Sequence, residues 1–205
     1  MKQRPHLIGI AGPSGAGKSF LAEHLVRKLA NAVIVPIDAY YPDLSHLSLD
    51  HRRQRNFDDP TILDADLLLA QVAALAHGDP IQQPIYDFAR HTRTAETLTV
   101  HPRQFVVVEG LFTLYWAELR ALLHTRVYVD LTDAICLERR IARDVQHRGR
   151  TPVFVEEQFR NSVIPMAERY VRPTAEFADV TVDGAAPIEE GVAAVLAHLR
   201  RRSVI

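Results

Sequence analysis

The segment from Gly12 to Ser19, GPSGAGKS, constrains this chain more than any other. Gly12, Gly17, Lys18 and Ser19 satisfy G-x-x-x-x-G-K-[ST], after the apolar run Leu7 to Ile10 and at the start of a helical pattern from Lys18 to Ala30. Glycines let the backbone turn tightly enough for its N–H groups to face a phosphate, and the helix N-terminus adds the positive end of its dipole. Lys18 is expected to reach the β- and γ-phosphates of a nucleoside triphosphate, and Ser19 to ligate Mg2+. Ser14, Gly15, Ala16 and Phe20 complete the expected donor-binding segment. The competing reading is a glycine-rich turn with an accidental lysine. The strand before it and the helix after it favour the phosphate site.

Short apolar runs alternate with helical patterns along the rest of the chain, as expected of parallel strands joined by crossover helices. The strands are read at Leu7 to Ile10, Val33 to Ile37, Phe105 to Val108, Val127 to Val129 and Val180 to Val182. Asp64 can cap a helix with Leu68, Val72 and Leu75 on one face and Gly78 as its stop. Further helices are expected from Asp133 to about His147, Pro152 to Tyr170, and Pro187 to the C-terminal arginines. Thr151 followed by Pro152 reads as an N-cap and a first helical residue. Ile81 to His101 reads as a hairpin outside the parallel sheet. The expected fold is a doubly wound α/β P-loop NTPase, mostly parallel, with a β-hairpin at 81–101 and an arginine-rich helical lid at 138–170, in one domain over 1–205.

A phosphate loop does not say what happens to the phosphate, so other residues must decide. No Asn-Lys-x-Asp string occurs, which disfavours a switch GTPase. A motor ATPase would normally end an apolar strand in Asp-Glu, whereas Val106 to Val108 ends in Glu109-Gly110. Glu109, at a strand's C-terminal end, sits where a magnesium shell belongs, beside Ser19. Asp38, after the second strand, falls on the same sheet edge, where a carboxylate can take the proton of an acceptor hydroxyl. From Arg139 to Arg150 five arginines face Asp144 alone, and a segment so charged suits a lid that brings cations onto a moving phosphoryl group.

Composition narrows the partners. Twenty-four basic residues balance twenty-five acidic ones, net charge -1, without the basic excess of a chain that holds nucleic acid by its phosphates. Lys2 and Arg4 precede an apolar run that resembles the start of a signal peptide, but Gly12, Pro13 and Gly15 break it too early, and no run is long enough to span a membrane. A single cysteine, Cys136, permits no internal disulfide and suits a cytoplasmic setting.

Taken together, the motifs resemble the uridine-cytidine kinase family, in the group that also contains phosphoribulokinase and pantothenate kinase. The likeness spans Leu7 to Gly184. It rests on GPSGAGKS, on Asp38-Ala39-Tyr40-Tyr41, on Asn56-Phe57-Asp58-Asp59-Pro60, on Pro84-Ile85-Tyr86-Asp87-Phe88 with His91 and Arg93, on Glu109-Gly110-Leu111, and on Arg139-Arg140 through Arg143-Asp144 to Arg148-Gly149-Arg150. The resemblance implies transfer of the ATP γ-phosphoryl, with Mg2+, to the 5′-hydroxyl of uridine or cytidine. Asp38 would be the general base, Tyr41 and Asp58 would hold the sugar, and Tyr86 and His91 would meet the pyrimidine. Arg143, Arg150 and Gln158 would close over the acceptor, Arg148 would serve the phosphates, and Arg140 would lie near the adenine. Asp59 stands where a histidine is common, adding charge near the sugar, and Thr151-Pro152 departs from the usual acidic helix start. The expected partner is a small nucleoside, with no nucleic acid or membrane, and the chain is expected to form a homo-oligomer. The alternatives are another hydroxylated acceptor (a different riboside, a sugar phosphate or pantothenate) and a nucleotide-binding regulatory module that no longer transfers phosphate.

Overall fold

The computed structural model describes residues 4–205, so Lys2 lies outside it. Five strands, β1 (His6–Ala11), β2 (Ala32–Pro36), β5 (Phe105–Glu109), β6 (Thr125–Asp130) and β7 (Val180–Asp183), form one sheet in the order β2-β5-β1-β6-β7, every neighbouring pair parallel. Their side chains alternate between two apolar layers. Leu7, Val106 and Val108 face one, with α3 (Ala65–His77) and Leu119 of α4 (Ala117–Leu122); Ile8, Ile10 and Val107 face the other, with α1 (Lys18–Lys28) and α8 (Ile188–Arg201). Burial on both faces explains why the strand runs are almost continuously apolar.

The expected helix signals operate. Asp64 accepts the Leu67 N–H at 3.2 Å, Gly78 ends α3 in the left-handed region, and Thr151 accepts the Phe154 N–H at 3.3 Å above Pro152. One expectation needs correction. The single helix read from Pro152 to Tyr170 is α6 (Pro152–Gln158), a π-helical segment Phe159–Val163, α7 (Ile164–Met166) and a second π-helical segment Ala167–Val171. Pro165 and Pro173 lack the N–H that an α-helical turn would use, and their rings crowd the carbonyl four residues back, so the ladder widens just before each. The short α2 (Leu49–Arg53) and α4 were not foreseen.

The hairpin pairs β3 (Ile81–Asp87) with β4 (Thr92–Val100), separate from the main sheet as expected. Its register shifts between Pro84 and Tyr86. Strict alternation from buried Ile81 and Gln83 would turn Ile85 inward; the bulge instead buries Tyr86 and leaves Ile85 at the surface.

Candidate active site

Register brings the chemistry to one edge of the sheet. Glu109 pairs with Ile10 on one side and Pro36 on the other, so the start of the phosphate loop, Asp38 and Glu109 emerge at one level of adjacent parallel strands. The loop sits close against its surroundings: a Cβ on Gly12, at φ +145°, would lie 2.3 Å from the Val129 carbonyl oxygen, and one on Gly15 would lie 2.6 Å from that of Cys136. Cys136 thus packs behind the loop.

A single cavity is lined by Ser14, Gly15, Lys18, Ser19, Asp38, Tyr41, Asp58, Tyr86, His91, Glu109, Arg140, Arg143, Arg148, Arg150 and Gln158, together with Phe57, Phe88, Gly110 and Leu111. At its inner end Lys18, only 7% exposed, donates from Nζ to the Pro13 carbonyl at 2.8 Å, and burial lowers its pKa against the opposing pull of Glu109 and Asp38. Ser19 Oγ lies 3.1 Å from both carboxylate oxygens of Glu109. Burial first, and the Asp38 charge second, push the Glu109 carboxyl up to about 7. A buried carboxylate with raised proton affinity beside a hydroxyl is a hard-oxygen pair short of a cation, so these residues fit Mg2+. Asp38, partly exposed to the cavity, is also raised by burial, while Lys18, Arg148 and Arg143 pull it down.

Aromatic rings make the outer wall. Tyr41 and Phe57 meet edge to face with centroids 5.1 Å apart, Tyr86 lies 5.3 Å from Tyr41, and His91 lies 5.4 Å from Phe57. Tyr41 OH donates to the Phe57 carbonyl, whereas the buried Tyr86 OH has no hydrogen-bond partner among the described residues. His91 takes φ +50°, a left-handed conformation uncommon for a residue with a side chain, at the turn that brings its ring to the cavity. Burial, then Arg150 and Arg148, lower its pKa, which favours a neutral ring. Asp58, 6% exposed, lies 3.5 Å from Arg140. Phe88 is 42% exposed, edge to face with Tyr86 and under Arg148; it belongs to the cavity mouth and not to the core.

Arg140, which the resemblance sets near the adenine, lines the main cavity, where its guanidinium donates to Ser14 Oγ at 2.7 Å and to Gln158 Oε1 at 3.0 Å. Adjacent helical residues point about 100° apart, and it is Arg139 that borders a second cavity of about 380 Å3 on the far side of the loop, with Ala16, Gly17 and Phe20. Asp59 lines neither cavity; its carboxylate accepts from Thr61 N–H and Oγ1 at 2.9 and 2.7 Å. The Thr151-Pro152 start, by contrast, leaves the register of Gln158 intact, since its Oε1 also accepts from Arg150 at 3.0 Å. Phe57 received no role from sequence; its place beside Asp58 in Asn56-Phe57-Asp58 is the signal that could have found it.

A parallel sheet with this strand order, a phosphate loop after its central strand, Glu109 ending the neighbouring β5 and Asp38 just beyond β2, defines a P-loop kinase. The pattern of the Phosphoribulokinase / Uridine kinase family matches residues 7–187, and the chain belongs to that family. It is 41% identical over 182 residues to the uridine kinase of Escherichia coli K12, covering 86% of this chain and 85% of that protein. It is 36% identical over 201 residues to the uridine kinase of Vibrio cholerae, covering 95% and 94%. The solved structure of phosphoribulokinase from Rhodobacter spheroides shares the fold, with a TM-score of 0.67 over 90% of this chain and 74% of that one at 15% identity. Among the described residues no helix is long and apolar enough to cross a membrane.

Proposed function

We propose that this chain transfers the γ-phosphoryl group of ATP to the 5′-hydroxyl of uridine or cytidine. The observation that carries the reading is one cavity with Lys18, Ser19 and Glu109 at its inner end, Asp38 between, and Asp58 with a box of rings at its outer end. Backbone N–H groups of the loop and Lys18 hold the donor phosphates, and the second cavity, with Phe20 and Arg139 on its wall, takes the donor base. Ser19 and Glu109 hold Mg2+, which when bound supplies positive charge to the phosphate oxygens. Asp58 and Tyr41 orient the ribose. Tyr86 OH, without a hydrogen-bond partner among the described residues, and neutral His91, with one donor and one acceptor nitrogen, meet the polar edge of the pyrimidine.

Asp38 accepts the 5′-hydroxyl proton as that oxygen bonds to the γ-phosphorus and the bond from phosphorus to the β-phosphate bridging oxygen breaks, releasing ADP. Burial makes Asp38 a stronger base than an exposed aspartate, while Lys18, Arg148 and Arg143 oppose its protonation. The segment bearing Arg143, Arg148 and Arg150 acts as a lid that balances charge on the moving phosphoryl group and excludes water. The test is ADP release from ATP and Mg2+ across a panel of uridine, cytidine, adenosine, ribulose 5-phosphate and pantothenate. Turnover is expected with the two pyrimidine nucleosides; preference for an acceptor without a base would overturn the assignment.

A further inference from the structure

Asp144 is fully buried and lines neither cavity described above, yet four guanidinium groups converge on its carboxylate. Arg143 Nε donates to Oδ1 at 2.8 Å and Arg150 donates to Oδ2 at 3.0 Å, while Arg148 lies 3.4 Å from Oδ1 and Arg140 3.9 Å from Oδ2. All four arginines line the main cavity. The main chain joins in: the Asp144 carbonyl accepts the N–H groups of Gly149 and Arg150 where α5 (Asp133–Arg148) ends, with Gly149 at φ +62°. This closure folds Arg150 back toward the arginines that precede it on the helix. Arg143, Arg148 and Arg150 have no other carboxylate within salt-bridge distance among the described residues.

Cations gathered in so small a volume repel one another, and in a partly dry site the repulsion is poorly screened. One carboxylate offsets it and fixes the direction of each fork. Burial alone would raise the Asp144 carboxyl, but Arg143 and Arg148 outweigh it and hold it below the ordinary carboxylate range. Asp144 engages these guanidinium groups from their buried side while the same side chains line the cavity, so the carboxylate and a phosphate in the cavity would act on one set of cations.

We propose that Asp144 is a positioning residue of the phosphoryl-transfer site, an internal counter-anion that holds Arg143, Arg148 and Arg150 in place before substrate arrives and limits how tightly they grip phosphate in the ground state. It rests on the kinase reading above. An interaction that strengthens only as charge develops raises turnover, whereas one that grips the ground state equally does not. Removing the carboxylate charge therefore leaves a more cationic but less ordered arginine set: anions bind more tightly and turnover falls.

The test compares wild type, Asp144→Asn and Asp144→Glu by steady-state ADP release with uridine and by calorimetric titration with pyrophosphate in the absence of acceptor. In Asp144→Asn, kcat is expected to fall at least about tenfold, the scale of losing one preorganised donor to the transition state, while pyrophosphate binds more tightly than to wild type. A purely structural residue would lower activity and stability without tightening anion binding. Unchanged or weaker pyrophosphate binding in folded Asp144→Asn would overturn the proposal. If that variant does not fold, Asp144→Glu decides: it keeps the charge but displaces the carboxylate by one methylene, so kcat should fall with pyrophosphate affinity preserved, and an unchanged kcat overturns the proposal. Failure of wild type to turn over uridine would instead sink the acceptor assignment, while the calorimetric comparison still judges Asp144.

Discussion

Asp38 and Glu109 share one cavity but are held differently. Glu109 is locked to Ser19 and its carboxyl is pushed up to about 7, as suits a group that waits for a cation. Asp38, just beyond β2, lines the same cavity and feels the charges of Lys18, Arg148 and Arg143, as suits a base aimed at a hydroxyl. Asp38→Asn keeps the shape and removes the proposed base, so kcat should fall by about 10² to 10⁴-fold with the KM for ATP little changed. Steady-state kinetics at saturating nucleoside checks this, and an unchanged kcat would leave Asp38 a structural residue. Of the neighbours, His91 shows how far motif position alone can go. Its place in the chain was legible, whereas the left-handed backbone that turns its ring to Phe57 was not, because nothing in a histidine signals φ +50°.

On the proposed function, acceptor recognition depends on the hairpin. A two-stranded ribbon is marginal alone, and this one is fastened by Arg93, which donates to the Tyr41 carbonyl at 3.0 Å, the Tyr40 carbonyl at 3.1 Å and Asp64 at 3.2 Å. Thr92 adds a second tie, donating to Asp43 at 2.8 Å and accepting the Leu44 N–H at 2.9 Å. One side chain thus fixes the hairpin to the segment carrying Asp38 and to the cap of α3. Arg93→Ala should raise the KM for uridine by roughly 5- to 150-fold, matching the 1 to 3 kcal/mol lost when buried partners are left unsatisfied, with a much smaller effect on the KM for ATP. Equal changes in both constants would show that Arg93 supports the whole fold and not the acceptor side. The hairpin itself could be read from the sequence; its bulge could not, since Pro84 marks a lost ladder bond without saying which neighbour turns inward.

Across the whole molecule, the two ends of the sheet do different work. The C-terminal edge gathers the chemistry; the N-terminal edge holds His6 and His124, rings stacked at 5.0 Å, with His6 Nε2 2.9 Å from Thr125 Oγ1. Burial first, then His124, His198 and Arg202, lower the His6 pKa from 6.5 to about 4. The unfolded chain therefore binds a proton that the folded chain refuses between these values. This stability contribution is fully present above pH 6.5 and is lost as pH falls toward 4. Because His6 is only part-buried, screening leaves the effect on the order of 1 to 2 kcal/mol. Urea unfolding of wild type and His6→Gln from pH 7.5 to 4.5 should show a steeper loss of stability in wild type below pH 6.5, and parallel curves would refute the assignment to His6.

Sequence by itself determined the phosphate loop, the five strands and the helix caps, because each follows from local chemistry: glycine's backbone freedom, apolar runs buried on both faces, and a side-chain oxygen placed before a helix. It also named nearly every residue of the cavity, through motifs whose spacing the fold preserves. Tertiary structure decided which way those residues face. Arg139 and Arg140 differ by one position and part to opposite sides of the phosphate loop, Asp59 turns to its own backbone, Tyr86 enters by a bulge, and Asp144 becomes the shared anion of four arginines. Helical phase, strand register and the convergence of distant charges are properties of packed elements, so no single stretch of the chain contains them.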